Sequence, residues 1–274
     1  IRDRGCMEDK STNEKVGIFI IVFLLSLIVI IIILYLLGIF NRRPNEANII
    51  VDDAVMFKYS KKKWVTASPN SYSNYNWDKF KIYSNNTYIG TKSIFTTDGK
   101  WYVFEKNRDA VNVPGDKLYL GGKIKTTHKN FNQTNVNTTD WTYIHKVLDH
   151  YKISRDIQND YTYAFKVNYD FDNDNKDEVM YIVSNLFSDH DVSSSYSFIF
   201  VNDNGNNKVI YGKIYGEGAN LTGCYAYLYG IIEVEGTKGS QIITKCGHYS
   251  VGNNDEYGLY QFNNNKYQLL LYSK

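Results

Sequence analysis

From Val16 to Phe40 the chain carries no charged residue, and no other stretch restricts the fold as much. Roughly twenty apolar residues in a helix span a bilayer, and this block is longer than that. A secretory apolar region runs about 7–15 residues and ends at a small-residue cleavage site, which is not evident here. No polar face interrupts the block, so a buried soluble helix does not fit it. The block therefore reads as a single transmembrane helix over 16–40, using the lipid bilayer as its partner. A short tail, 1–15, precedes it, with Met7 the expected start of translation, and a linker, 41–48, follows. Lys10 and Lys15 before the span nearly balance Arg42 and Arg43 after it. Long domains translocate largely regardless of such charges, so the tail is expected inside the cell and the remainder outside. Cys6 precedes the span and does not fit a lipoprotein cleavage site.

Beyond the block the texture turns to strands. The chain of 274 residues holds 25 Tyr and 14 Phe, and such residues suit a half-buried pleated surface. Richness in Asn, Tyr, Ile and Lys reads as the bias of an AT-rich, low-GC bacterial coding sequence rather than as a functional signal. The net charge of +2 decides nothing about partners, and nucleic acid is not expected as one. Residues 49–127 read as a small antiparallel β domain, with turns at Ser60–Lys63, Ser84–Asn86 and Asp98-Gly99, the last a strong hairpin signal. Trp64, Trp77 and Trp101 read as packing residues in preference to a sugar-stacking platform. Residues 128–139 form an Asn/Thr-rich linker. An amphipathic helix follows over Asp140–Lys152, capped by Thr139 or Asp140, with Trp141, Ile144, Val147, Leu148 and Tyr151 on one face. His145, Asp149 and His150 read as solvated polar-face residues, since the His-Glu-x-x-His of a zinc protease is absent.

The stretch of strongest chemistry is Tyr169-Asp170-Phe171-Asp172-Asn173-Asp174-Asn175-Lys176-Asp177-Glu178. Carboxylates recur at Asp170, Asp172 and Asp174 and again at Glu178, the pattern by which a short loop points oxygens at Ca²⁺. Asn175 stands at the sharp sixth position, which favours a residue tolerating positive φ. An EF-hand needs Glu at position twelve, but Tyr181 stands there, inside an apolar run. The loop therefore feeds a strand instead of a helix. Residues 170–179 resemble the calcium loop of FG-GAP/VCBS-type β repeats, with Asn175 in place of the usual Gly. The resemblance implies Ca²⁺ as cofactor, held by Asp170, Asp172, Asp174 and Glu178 with the Lys176 carbonyl; a plain acidic turn is the alternative. A degenerate copy runs over 233–243, where Glu233, Glu235, Thr237 and Gln241 fall on Asp170, Asp172, Asp174 and Glu178.

Residues 140–274 are thus expected to hold the helix and a two-copy β repeat, 161–211 and 224–271, packed as a sandwich or as blade-like units with the helix over an edge. Two copies are too few to close a propeller. Cys224 and Cys246 could form a disulfide outside the cell or remain buried thiols. The fold class is therefore mainly β, behind one N-terminal transmembrane helix. No nucleophile elbow, phosphate loop or zinc signature appears, and Asp189-His190-Asp191 reads as an ordinary turn. The expected function is a calcium-stabilised, membrane-anchored extracytoplasmic module binding a protein or cell-envelope polymer. An envelope-glycan enzyme and a sensor or regulatory membrane protein are the alternatives.

Overall fold

The computed structural model describes residues 8–36, 45–67, 78–97, 100–104, 110–112, 114–159, 162–186, 195–216, 223–248, 255–263 and 266–273. Trp77, Asp98-Gly99 and Asp189-His190-Asp191 lie outside them. The chain forms two compact units, Ile1–Pro44 and Asn45–Lys274. In the first, helix α1 spans Glu8–Leu36. Its described side chains, 19–33, are all exposed, and all but Ser26 are large and apolar. At 1.5 Å per residue such a stretch is about 22 Å long, short of the ~30 Å of a hydrocarbon core. Among the described residues no helix is long and apolar enough to cross a membrane.

The second unit is mainly β. Its first strands are β1 (Glu46–Val51), β2 (Val55–Ser60), β3 (Lys63–Ala67), β4 (Asp78–Ser84), β5 (Thr87–Thr97), β6 (Lys100–Phe104), β7 (Ala110–Asn112) and β8 (Leu118–Gly122). They build one eight-stranded antiparallel sheet in the order β3-β2-β1-β8-β4-β5-β6-β7. Next come β9 (Thr126–Lys129), β10 (Gln133–Asn135), α2 (Thr138–His150) and α3 (Arg155–Asn159). The remaining strands are β11 (Tyr163–Tyr169), β12 (Glu178–Ser184), β13 (Ser195–Asp203), β14 (Asn206–Tyr215), β15 (Cys224–Val234), β16 (Gln241–His248), β17 (Glu256–Asn263) and β18 (Lys266–Ser273).

These last eight strands form two meanders with the same plan. One sheet runs β10-β11-β12-β13-β14 and the other β9-β15-β16-β17-β18. The stretch 128–139, which the sequence presents as a linker, thus supplies the second half of β9 and all of β10, the short edge strands of the two sheets. Strands this short pair through the backbone and carry no apolar alternation to reveal them. The outer hairpins match in detail. Asp203 pairs with Asn206 and Asn263 with Lys266, and each has a bulge, after Ile199 and after Leu259.

The unit is layered. Ile49, Val51, Phe57 and Leu120 of the eight-stranded sheet share a core with Ile232, Val234, Ile243 and Leu259 of the β15–β18 sheet. The opposite face of that second sheet, through Ala226, Leu228, Ile231 and Ile242, packs on Val167, Met180, Ile199 and Val201 of the β11–β14 sheet. Behind that lies α2, whose Ile144, Val147 and Leu148 rest on Tyr181, Val183, Phe198 and Phe200. The helix covers a sheet face, not the expected edge. Its cap is Asn137, earlier than expected. Asn137 Oδ1 accepts from the Asp140 amide at 3.0 Å while Asp140 Oδ2 accepts from the Asn137 amide at 2.7 Å. This reciprocal pair satisfies two donors at the helix start. Asp140 then accepts from Lys166 Nζ (2.7 Å) and Tyr181 Oη (2.9 Å) of the sheet beneath.

Candidate metal centre

The acidic loop, 170–177, joins β11 to β12. Asn173 and Asn175 hold φ at 64° and 69°, the left-handed region that Asn reaches at least cost among residues with a side chain. Successive carboxylates accept loop amides. Asp170 takes Asp174 N at 3.0 Å and Asn175 N at 2.9 Å, Asp172 takes Asp174 N at 3.2 Å, and Asp174 takes Lys176 N at 2.9 Å. Glu178, the first residue of β12, is buried and accepts from the Phe171 amide at 2.8 Å. The result is convergence: ligand oxygens of Asp170, Asp172, Asp174 and Glu178 lie within 4.8 Å of one another. Lys176 enters the loop through its amide, and its side chain is exposed.

This arrangement is electrostatically costly as it stands. Among the described residues none of the four carboxylates forms an ion pair with Lys or Arg. Burial, and then the charges of Asp172, Asp170 and Asp174, push Glu178 up to about 7 against the pull of the Phe171 amide. Burial and Asp174 likewise raise Asp172. The buried hydroxyl of Tyr267 has no hydrogen-bond partner among the described residues. Burial raises its pKa, and after burial the charges of Glu178 and Asp172 do so most.

The matching loop between β15 and β16 solves the same geometry differently. Val234 N donates to Gln241 Oε1 at 3.1 Å, as Phe171 N donates to Glu178. The Gln241 amide nitrogen then reaches into the loop, donating to Thr237 Oγ1 at 2.9 Å and to the Gly239 carbonyl at 3.0 Å. By position those acceptors correspond to the Asp174 side chain and the Lys176 carbonyl. The two loops also stack. Ser240 N donates to the Phe171 carbonyl at 3.1 Å, and a Cβ on Gly239 would come within 3.2 Å of that same oxygen. Glycine, here at φ 61°, makes this approach without the crowding and strain a side chain would add.

The other candidate residues have structural partners. His145 Nδ1 meets Gln158 Oε1 at 2.6 Å, and Asp149 accepts from Arg155 and Gln158. Trp101 is buried, and Trp64 packs against Tyr59. Cys224 and Cys246 form a disulfide between β15 and β16, Cα atoms 5.3 Å apart. Tyr211 Oη lies against both sulfurs. Sequence reasoning missed the polar centre around Asp52, which is 3% exposed. Asp52 accepts from Lys245 Nζ at 2.9 Å, from Tyr257 Oη at 2.5 Å, and from Tyr229 Oη. Lys245 also pairs with Asp255 at 2.8 Å. Burial alone would lower the Lys245 pKa; the hydrogen bonds to Asp255 and Asp52 outweigh it and hold the ammonium charged.

Fold and loop together define an antiparallel β unit with one acidic turn at a sheet end. No protein-family model, curated protein or solved structure matches the chain. The likeness to FG-GAP/VCBS loops stays confined to the residues that carry it.

Proposed function

We propose that this chain is a single-pass, membrane-anchored extracytoplasmic β module, stabilised by Ca²⁺ at the acidic loop, that binds a protein or cell-envelope polymer. One observation carries the metal reading: where the second loop has the Gln241 side-chain amide donating to its neighbours, the first brings four carboxylate side chains together with backbone amides as their donors. A hard cation at Asp170, Asp172, Asp174 and Glu178, with the Lys176 carbonyl, would supply the missing positive centre. The Tyr267 hydroxyl, without a hydrogen-bond partner among the described residues, feels the charges of Glu178 and Asp172 as well. The matched meanders support reading 161–211 and 224–271 as two copies of one unit, the second having exchanged its cation for an amide. The disulfide fits an oxidising compartment, and the uncharged block 16–40 supports the anchor.

Calorimetric titration of the full chain with calcium tests the site. The expected result is one site with Kd around 10⁻⁴–10⁻³ M, as for extracellular modules. Asp172→Ala should lose it, while Glu235→Ala, in the second loop, should keep it. Equal binding by both variants would refute the assignment. Protease added to intact cells tests topology: cleavage within 45–274 is expected, and cleavage only after lysis would reverse the orientation.

A further inference from the structure

The turn between β2 and β3 is Lys61-Lys62, closed by the pairing of Ser60 with Lys63. Both turn residues are left-handed, at φ 51° and 63°, a conformation that two-residue hairpin turns normally give to Asn or Gly. The chain uses those residues at two comparable turns, Asn85-Asn86 and Asn204-Gly205. Between β2 and β3 it accepts the backbone cost and sets exposed lysines at 61, 62 and 63.

Lys62 and Lys63 wall a cleft of about 430 Å³ with Trp64 of β3, Lys238 of the loop between β15 and β16, and Gln261 of β17. Its two sides are braced together. Tyr59 Oη donates to the Gly236 carbonyl at 3.4 Å, and Gln261 Nε2 donates to the Lys238 carbonyl at 2.5 Å. No carboxylate lines the cleft; Glu235, beside Gly236, lines a separate one with Glu233. Among the described residues Lys62, Lys63 and Lys238 form no ion pair. Trp64 Nε1 is a buried donor with no partner among them either. Ammonium groups and an unused N–H leave this wall short of acceptors, and phosphate or carboxylate oxygens are the acceptors that suit them.

Position selects among the sources of such oxygens. Ser60 pairs with Glu46, the first residue of β1, so the lysine turn lies at the end of the sheet where the chain arrives from the uncharged block. Residues 41–45 alone separate that block from Glu46, and Arg42 and Arg43 are among them. Fully extended, Phe40 to Glu46 reaches roughly 20 Å. Under the anchor reading proposed above, that tether keeps the cleft within reach of lipid headgroups, whereas a soluble polyanion or acidic protein has no such tether. We infer that the cleft of Lys62, Lys63 and Lys238 docks on the anionic phospholipid headgroups of the bilayer holding the chain. Clustered lysines are drawn to such a surface, and the attraction fades within a screening length of it. The inference rests on the anchor reading for the nearness of the bilayer, and it is independent of the metal reading.

The test reconstitutes the full chain in phosphatidylcholine vesicles with and without about 30% phosphatidylglycerol, and maps lysine acetylation by a membrane-impermeant ester with mass spectrometry. Chelator is present, because the acidic loop stacks on the Lys238 loop and its bare charges oppose docking most. The internal standards are Lys146 and Lys152, exposed on and just after α2, the layer beyond the β11–β14 sheet. Relative to them, Lys62, Lys63 and Lys238 should react at least about threefold more slowly on the anionic vesicles. The protection should vanish near 1 M salt, where the screening length is about 3 Å. Lys238→Gln should weaken the protection of Lys62 and Lys63, and Lys238→Arg should keep it. Equal labelling on both vesicles, or protection indifferent to salt, would overturn the inference. So would protection by millimolar glycerol phosphate in place of anionic lipid, which marks a site for free phosphate, or by polyglutamate in its place, which marks an acidic protein. A chain that alkaline carbonate strips from neutral vesicles, yet protected on anionic ones, sinks the anchor reading alone; a chain retained but unprotected sinks this inference alone.

Discussion

Glu178 and Gln241 stand at matching positions, and the chemistry of their head groups separates the two loops. Because burial and three Asp carboxylates raise Glu178 to about 7 from its ordinary 4.5, the folded chain binds a proton there more tightly than the unfolded chain. Its contribution to stability is therefore full below pH 4.5 and falls as pH rises towards 7 in the absence of metal. Calcium should reverse this, since the cation favours the ionised form, so calcium affinity should rise through the same interval. Glu178→Gln copies the second loop and should remove both effects; urea midpoints against pH, with calcium and with chelator, would read them. A variant as calcium-responsive as the parent would contradict the role given to Glu178. The Asp52 centre behaves differently. Asp52→Ala leaves Lys245 with Asp255 but strips the Tyr229 and Tyr257 hydroxyls of their buried acceptor, and should cost about 1–3 kcal/mol. Asp52→Asn, which keeps an acceptor and tolerates φ 56°, should cost less in the same urea experiment. The acidic loop was legible because its ligands lie within nine residues of sequence. Asp52 was not, because Lys245 and Tyr257 are 193 and 205 residues away and no local pattern announces them.

Among elements, the strongest constraint is β15–β16, tied by backbone pairing and by the Cys224–Cys246 disulfide. The bond closes a segment of 22 residues, and by loop-entropy reasoning the double variant Cys224→Ser, Cys246→Ser should lose about 3 kcal/mol. An unchanged urea midpoint under non-reducing conditions would show that the bond contributes nothing. At the helix, Asn137→Ala should cost about 1 kcal/mol by removing the cap. Aromatic and β-branched runs such as Val179–Val183 and Tyr196–Val201 mark strands in this half of the chain. Three features escaped the sequence for definite reasons. The three-residue β10 and four-residue β9 are too short to show a period. The cap moved to Asn137 because the reciprocal bond with Asp140 outcompetes a start at Thr139. Whether Cys224 and Cys246 bond or remain thiols depends on strand register, which spacing along the chain does not reveal.

At the scale of the whole unit, the β15–β18 sheet is the middle layer, with one face on the eight-stranded sheet and the other on the β11–β14 sheet. That explains why strands of the expected small β domain share a core with the last quarter of the chain, and why β8 sits between β1 and β4. Such an order is set by long-range packing and cannot be read from local texture. The loops 170–177 and 235–240 stack where the two meanders meet. Ordering the first loop should therefore stabilise both meanders cooperatively. The most direct measurement is the thermal unfolding midpoint of the full chain with calcium and with chelator. At calcium about 100 times Kd, linkage adds about 2.7 kcal/mol, which for a domain of this size is a rise of about 5–10 °C. The account predicts that rise in the parent and in Glu235→Ala and its loss in Asp172→Ala; an unchanged parent midpoint, with no heat of calcium binding at millimolar concentration, would contradict it.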